Sequence, residues 1–154
     1  MHYEVYPRTF LGLPDEQATY EGSKAVVLPV PYEGTVSYGV GTSKAPLAII
    51  EASTYLEPWD ARLRLDYFGL SIATLPTMSL SAAGPKEAVE EVRGAVSKLL
   101  DDGKWVAMLG GEHSITPGAI AAHKKKHGDF AVLHIDAHAD LRQEYEGTPH
   151  SHAC

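Results

Sequence analysis

Two short clusters of polar residues contain the side chains of this sequence best suited to chemistry. The first is Gly110-Gly111-Glu112-His113-Ser114, and the second is His134-Ile135-Asp136-Ala137-His138-Ala139-Asp140. Imidazoles and carboxylates are common protein ligands of divalent first-row metals. Because each cluster directly follows an apolar stretch, the two together predict a metal site at the ends of two strands.

In the first cluster, His113 is the candidate ligand. The two glycines before it allow a sharp turn or a close approach of the backbone, after which His113 can point into a crevice. Taken alone, His113 would be better interpreted as a residue at the start of a helix, held by a backbone hydrogen bond. The second cluster favours the metal interpretation.

In the second cluster, alternation of side chains along an extended chain places Asp136, His138 and Asp140 on one side. Alternate Cα atoms lie about 6.6 Å apart, so these groups could serve two ions spaced roughly 3.5–4 Å apart. The alternative is a turn in which Asp140 caps a helix and His138 is exposed. Unpaired neighbouring carboxylates repel each other, which favours a cation. For His134 we expect a core or supporting role rather than direct ligation.

Hydrophobic periodicity predicts alternating strands and helices. Short apolar runs bounded by turn residues predict strands at residues 25–30, 70–75, 105–109 and 130–135. Apolar residues at helical spacing and suitable starting residues predict helices that begin near Ser43, Pro85 and Thr116.

The strand, helix and strand across residues 105–138 predict a parallel βαβ unit. The fold class is therefore α/β with a mostly parallel sheet. Ligands of such sheets bind beyond the carboxyl ends of the strands. We therefore expect His113, Asp136, His138 and Asp140 to converge on a single crevice.

Composition limits the function. With 154 residues, 44% apolar and 21% charged, the chain is predicted to form one globular unit. A net charge of −7 argues against a nucleic-acid surface, and the basic run Lys124–Lys126 falls at the end of a predicted helix. No apolar run approaches the roughly 20 residues that cross a bilayer. Residues 1–10 show no signal pattern, and a single cysteine, Cys154, fits a reducing compartment, so we expect a cytoplasmic location without a membrane partner.

The motifs GGEHS and DAHAD, in this order, resemble the first two metal motifs of the ureohydrolases, the family of arginase, agmatinase, guanidinobutyrase and formimidoylglutamase. Residues 31–49 also resemble the N-terminal loop and first helix of that family. The likeness is strongest to agmatinases and covers essentially the whole chain. It implies that residues 1–154 are the N-terminal portion of a single ureohydrolase domain. The fold so implied is an incomplete three-layer sheet with helices on both faces.

The resemblance also implies a ligand set for two Mn²⁺ ions in the complete active site. His113 would bind one ion and His138 the other, Asp136 would bridge them, and Asp140 would complete the first sphere. Ligation rich in oxygen and free of thiolate suits manganese. His152 matches a catalytic histidine that handles substrate or protons, although an exposed histidine near a chain end is the simpler alternative.

The implied activity is hydrolysis of a guanidino compound, agmatine to putrescine and urea, by a hydroxide that bridges the metals. Guanidinobutyrase and formimidoylglutamase are alternatives, and the family resemblance implies a homo-oligomer. The third motif of the family, D-x-D followed by D-P, is absent from these residues. A different class of function is therefore also open, in which a catalytically incomplete chain acts only as an association module.

Overall fold

Strands and helices alternate along the chain. The computed structural model describes residues 8–154, and residues 1–7, part of the segment in which we expected no signal sequence, lie outside the described residues. The α-helices are α1 (Ala45–Ser53), α2 (Pro85–Asp101) and α3 (Thr116–His127). The strands are β1 (Ala25–Val30), β2 (Trp59–Asp60), β3 (Leu65–Asp66), β4 (Ile72–Thr74) and β5 (Trp105–Gly110). One-turn 3-10 helices span Phe10–Gly12, Thr42–Lys44, Tyr67–Gly69 and His113–Ile115.

The central sheet has the strand order β4-β1-β5, and both neighbours of β1 run parallel to it. In the register, Val26 lies opposite Ala73 and Val106, and Val30 lies opposite Gly110. Strands β2 and β3 form a separate antiparallel pair. The carboxyl ends of β1 and β5 therefore meet at one edge of the sheet, and the loops that follow them begin side by side.

Helices cover both faces of this sheet. Val26 and Leu28 of β1 belong to a buried cluster that also contains Val92 of α2. Val27 points to the opposite face, where α1 contacts β1 and β5 and buries Ile50. The alternation of side chains along β1 thus produces two apolar faces, each covered by helix. The predicted layered α/β fold is confirmed, as are the predicted strands at 25–30 and 105–109.

The predicted strand at residues 130–135 is wrong for this structure, and with it the βαβ unit across residues 105–138. The segment follows α3 but has no strand assignment. Its side chains are largely exposed, with Leu133 at 86% and Ile135 at 87% of full exposure. An apolar run becomes a strand only where another strand offers backbone partners about 4.8 Å away. No strand among residues 8–154 offers them to this segment.

Helix α3 packs closely against α2 because Gly118 has no side chain. A Cβ atom at Gly118 would lie 2.3 Å from the carbonyl oxygen of Val89. Gly94, on α2, is different, since a Cβ atom there would meet nothing within 4 Å. The two helical glycines therefore allow a matched comparison.

We predict that Gly118→Ala destabilises the protein by about 1–3 kcal/mol, because the helix backbones must separate to accommodate the methyl group. Gly94→Ala should leave stability unchanged or raise it by up to about 1 kcal/mol through helix propensity. Urea unfolding midpoints measure both effects. Equal stability of the two variants would contradict the packing described here.

The loop between β1 and α1 is closed by the carboxylate of Glu33. It accepts hydrogen bonds from the backbone N–H groups of Gly41 and Ser43, each at 2.8 Å, and from the Ser43 hydroxyl at 2.7 Å. These bonds, led by the one from the Ser43 backbone, lower the pKa of Glu33 to about 2. The ionised form of Glu33 therefore stabilises the entry into α1.

Because the pKa of Glu33 is lower in the folded state than its ordinary value of 4.5, its contribution is complete above pH 4.5 and is lost as pH falls toward 2. We expect Glu33→Gln to lower Tm at neutral pH, by an amount that shrinks over this range. Thermal unfolding at a series of pH values, with the exposed Glu16→Gln as control, measures the difference. A Tm difference independent of pH would rule out this role.

Candidate metal centre

The site is built at the edge where β1 and β5 end. Backbone pairing continues past β5, since Gly111 N–H donates to the Val30 carbonyl at 3.0 Å and Glu112 N–H donates to the Tyr32 carbonyl at 2.9 Å. A Cβ atom at Gly111 would lie only 2.0 Å from the Tyr32 carbonyl oxygen. The expected close approach of a glycine backbone is confirmed at Gly111. It places His113 at the start of the following 3-10 helix.

Three of the four predicted ligands lie together. One ligand atom from each of His113, Asp136 and Asp140 lies within 4.8 Å of the other two. His113 Nε2 is 3.8 Å from Asp140 Oδ2. The expected convergence of the two sequence clusters is thus observed for these three residues, even though residues 130–135 form no strand.

Asp140 provides an independent sign of a cation. Its Oδ2 atom is buried and has no hydrogen-bond partner among the described residues. Its backbone adopts a φ of 47°, which turns the side chain out of a strand-like alternation. A buried carboxylate oxygen without a partner is destabilising unless a positive charge compensates it. The donor set therefore fits a divalent ion.

Asp136 is held in its ionised form. The backbone N–H of His138 donates to Asp136 Oδ1 at 3.0 Å, and this bond is the main cause of the lowered pKa of Asp136. Nearby His113 and His134 lower that pKa further. An ionised carboxylate beside His113 is the state that metal ligation requires.

His138 differs from the expectation. Its side chain is 82% exposed, its Nδ1 lies 4.0 Å from Asp136 Oδ1, and it is not part of the three-residue cluster. The chain bends at residues 137–138, so the predicted alternation of Asp136, His138 and Asp140 along one side is wrong. His138 instead borders a neighbouring opening together with His113 and Asp140.

His134 is a neighbour of the cluster rather than a core residue. Its Nε2 lies 3.6 Å from Asp136 Oδ2, and its side chain is about half exposed. Of the two roles left open for it, the supporting one agrees with this position.

His152 lies beside the cluster and is held by the loop after β1. Its backbone N–H donates to Thr35 Oγ1 at 3.1 Å, its Nδ1 is 3.4 Å from the same oxygen, and its Nε2 is 3.3 Å from Ser37 Oγ. The rings of His152 and His113 have centroids 6.2 Å apart. His152 is therefore not a freely exposed residue of a chain end.

Glu112 is a residue of the site to which the sequence assigned no role. It is buried, and it accepts hydrogen bonds from the backbone and hydroxyl of Thr35, both at 3.0 Å, and from the Ser114 hydroxyl at 2.8 Å. Burial, together with the charge of Glu112, raises the pKa of Tyr32. The signal in the sequence that could have identified Glu112 is its position between a glycine pair and the candidate ligand His113.

A cavity of about 480 Å³ opens at the cluster. His113, Asp136, Asp140 and His152 line it, and its remaining wall is largely apolar, with Ile120, Val132, Leu133, Ile135 and Leu141. The cavity therefore combines carboxylates and imidazoles with apolar side chains. Among residues 8–154, no helix is both long and apolar enough to cross a membrane.

Known proteins are similar to this chain in sequence and in fold. Residues 23–154 match the sequence profile of the arginase family. The chain is 38% identical over 139 residues to an N(1)-aminopropylagmatine ureohydrolase of Thermus thermophilus, covering 90% of this chain and 47% of the relative. It is 38% identical over 137 residues to an agmatinase of Halalkalibacterium halodurans, covering 89% and 47%.

Solved structures agree. The agmatine ureohydrolase of Thermoplasma volcanium superimposes with a TM-score of 0.76 at 35% identity, over 90% of this chain and 46% of that one. The chain thus spans about half the length of the relatives it matches. The match of residues 23–154 to the family profile covers most of the chain, so this protein belongs to the arginase family.

Proposed function

We propose that this chain forms part of the active site of a ureohydrolase that converts a guanidino compound of the agmatine type to urea and an amine. The observation that carries the proposal is the cluster of His113, Asp136 and Asp140 at the end of a cavity that His152 also lines. Relatives named agmatinase and N(1)-aminopropylagmatine ureohydrolase support the substrate class.

Two manganese ions are the proposed cofactor. His113 and Asp140 would hold the first ion, Asp136 would be shared, and His138 would belong to the second. The unpartnered oxygen of Asp140 and the mixture of carboxylates and imidazoles support a divalent cation. When bound, such a pair supplies Lewis acidity and lowers the pKa of a coordinated water.

Residues of the chain would orient the substrate and deliver a proton to the leaving amine. The apolar wall, including Val132 and Leu133, would pack against a methylene chain and leave the guanidinium at the aspartates. Water adds to the guanidinium carbon, and the bond from that carbon to the substituted nitrogen breaks. His152 would deliver the proton that the leaving amine needs, which an imidazole can do near neutral pH. The products are urea and a protonated amine.

Agmatine and N(1)-aminopropylagmatine are the two leading substrates, because relatives with either name are 38% identical to this chain. The two molecules share the guanidinium and the adjoining methylene chain. They differ only at the end of the molecule remote from the guanidinium. The substrates of a guanidinobutyrase or a formimidoylglutamase would place their reacting group at the same metal cluster. Urea release from agmatine, N(1)-aminopropylagmatine or guanidinobutyrate, and formamide release from formimidoylglutamate, distinguish these activities.

An association role belongs to a different class of function, and the exposure of Leu133, Ile135 and Leu141 favours it as a second candidate. Contiguous exposed apolar side chains often mark a protein contact.

The two aspartates of the cluster leave much of the charge of two divalent ions uncompensated. We therefore expect these 154 residues by themselves to bind at most one ion and to release no urea from agmatine.

Elemental analysis of the purified chain after addition of excess Mn²⁺ measures the bound metal, and urea release is assayed in parallel. Asp140→Asn should reduce bound manganese, whereas Asp129→Asn, whose side chain is 97% exposed, should not. Unchanged binding by Asp140→Asn would remove the cluster as the site. Two tightly bound ions per chain together with urea release would contradict the expectation of at most one ion and no activity. That result would mean that another copy of the chain supplies the further carboxylates.

In a protein that carries these residues at the full length of the relatives, we predict that Asp136→Asn lowers urea release by well over about tenfold, or more than about 1.4 kcal/mol. His138→Asn should do the same, and circular dichroism should show an unchanged fold for both. Asp129→Asn is the control. Activity within about tenfold of the parent, with manganese present, would exclude ligation by the changed residue. Absence of urea from every guanidino compound in the unmutated protein would refute the proposed function.

A further inference from the structure

A chain of part-buried hydrogen bonds connects the GGEHS motif to His152. Glu112, only 5% exposed, accepts from the backbone N–H groups of Gly34 at 3.3 Å and Thr35 at 3.0 Å. It also accepts from the hydroxyls of Thr35 at 3.0 Å and Ser114 at 2.8 Å. All four of these partners donate to Glu112, and two of them are backbone N–H groups, which can only donate. Glu112 therefore acts only as an acceptor.

The hydroxyl of Thr35 has a single proton, which it donates to Glu112. Its two lone pairs then face His152. One accepts the backbone N–H of His152 at 3.1 Å, and the other faces Nδ1 of the ring at 3.4 Å. An oxygen whose proton is already committed can bond to Nδ1 only if that nitrogen carries a proton.

We propose that Glu112 is a positioning residue which, through Thr35, fixes His152 as the Nδ1–H tautomer and leaves Nε2 as its basic nitrogen. Neither Glu112 nor Thr35 lines the cavity at the metal cluster, so both act through His152. The proposal deepens the proposed function, because it assigns the nitrogen with which His152 would exchange protons. One five-residue motif then positions a metal ligand and the proton-handling histidine.

The other groups around the ring adapt to this tautomer. Ser151 Oγ lies 3.4 Å from Nδ1, and Ser37 Oγ lies 3.3 Å from Nε2 and 3.4 Å from the Tyr145 hydroxyl. The proton of a serine hydroxyl can rotate. Ser151 can therefore share the Nδ1 proton as a second acceptor. Ser37 donates to Nε2 once its proton turns away from the Tyr145 hydroxyl, which then donates to Ser37 Oγ in exchange. Of the hydroxyls within residues 8–154 that contact the ring, that of Thr35 alone is bonded to a carboxylate.

Nitrogen NMR of the imidazole rings tests the proposal in the purified chain, because protonated and unprotonated ring nitrogens have well separated shifts. Spectra are recorded at a pH of about 8.5, above the ordinary titration range of histidine. His152→Gln assigns the signals. We expect His152 to show a protonated Nδ1 and an unprotonated Nε2. An Nε2–H tautomer in the unmutated chain would overturn the proposal, whatever the behaviour of any variant.

Variants identify the group that sets the tautomer. Thr35→Val removes the hydroxyl at nearly constant size and should abolish the preference for Nδ1–H, whereas Thr35→Ser should keep it. Ser37→Ala, which changes the other side of the same ring, is the matched control and should also keep it. Loss of the preference in Ser151→Ala but not in Thr35→Val would assign the role to Ser151 and refute the one proposed for Glu112.

This measurement is independent of catalysis, since it needs neither metal nor substrate. Failure to release urea would refute the proposed function and leave the tautomer unaffected. The wrong tautomer would refute the positioning role of Glu112 and leave the metal cluster unaffected.

Discussion

The parallel pairing of β1 with β5 is the constraint on which the site depends. Because Val30 and Gly110 lie in register, the segments that follow these strands run together beyond the sheet. Gly111 permits this, since its backbone passes so close to the Tyr32 carbonyl that a Cβ atom would lie 2.0 Å from it. A side chain at Gly111 would force the two segments apart and with them His113 and the loop that holds His152.

Beyond the sheet, carboxylates rather than apolar packing organise the loops. Glu33 closes the segment that leads into α1, and Glu112 holds the first part of the same loop against the end of β5. Each accepts backbone N–H groups that would otherwise lack partners, which is how a polar loop can be ordered beside a cavity. Asp136 is held in the same way by the N–H of His138. The buried oxygen of Asp140 is different, since no donor in the described part of the chain reaches it.

Local patterns predicted much of this structure. The apolar run at 25–30 and the helices starting at Pro85 and Thr116 depend on periodicity and end signals within their own segments. The two polar clusters could likewise be recognised from their residue types, and the parallel fold class implied that they would meet. In each case the information lies within a short stretch of sequence.

Features that depend on distant partners, or on local backbone geometry that residue types do not reveal, could not be predicted. Residues 130–135 have the composition of a strand, but strand formation requires a neighbouring backbone, which composition does not reveal. The bend at 137–138 and the positive φ of Asp140 separate His138 from the cluster although the sequence alternates evenly. The bond between Glu112 and Thr35 joins residues 77 positions apart. Nothing in either segment alone indicates it.

The central claim is that the end of this sheet concentrates a divalent cation at His113, Asp136 and Asp140. Helix α3 provides an internal competitor, because His123 and His127 stack with ring centroids 5.6 Å apart and could bind metal at the surface. Paramagnetic broadening by substoichiometric Mn²⁺, observed in amide NMR spectra of the labelled chain, compares the two places directly. Signals of residues 112–114 and 136–140 should broaden first. Broadening that begins at His123 and His127, or that spreads evenly over the acidic surface, would contradict the claim.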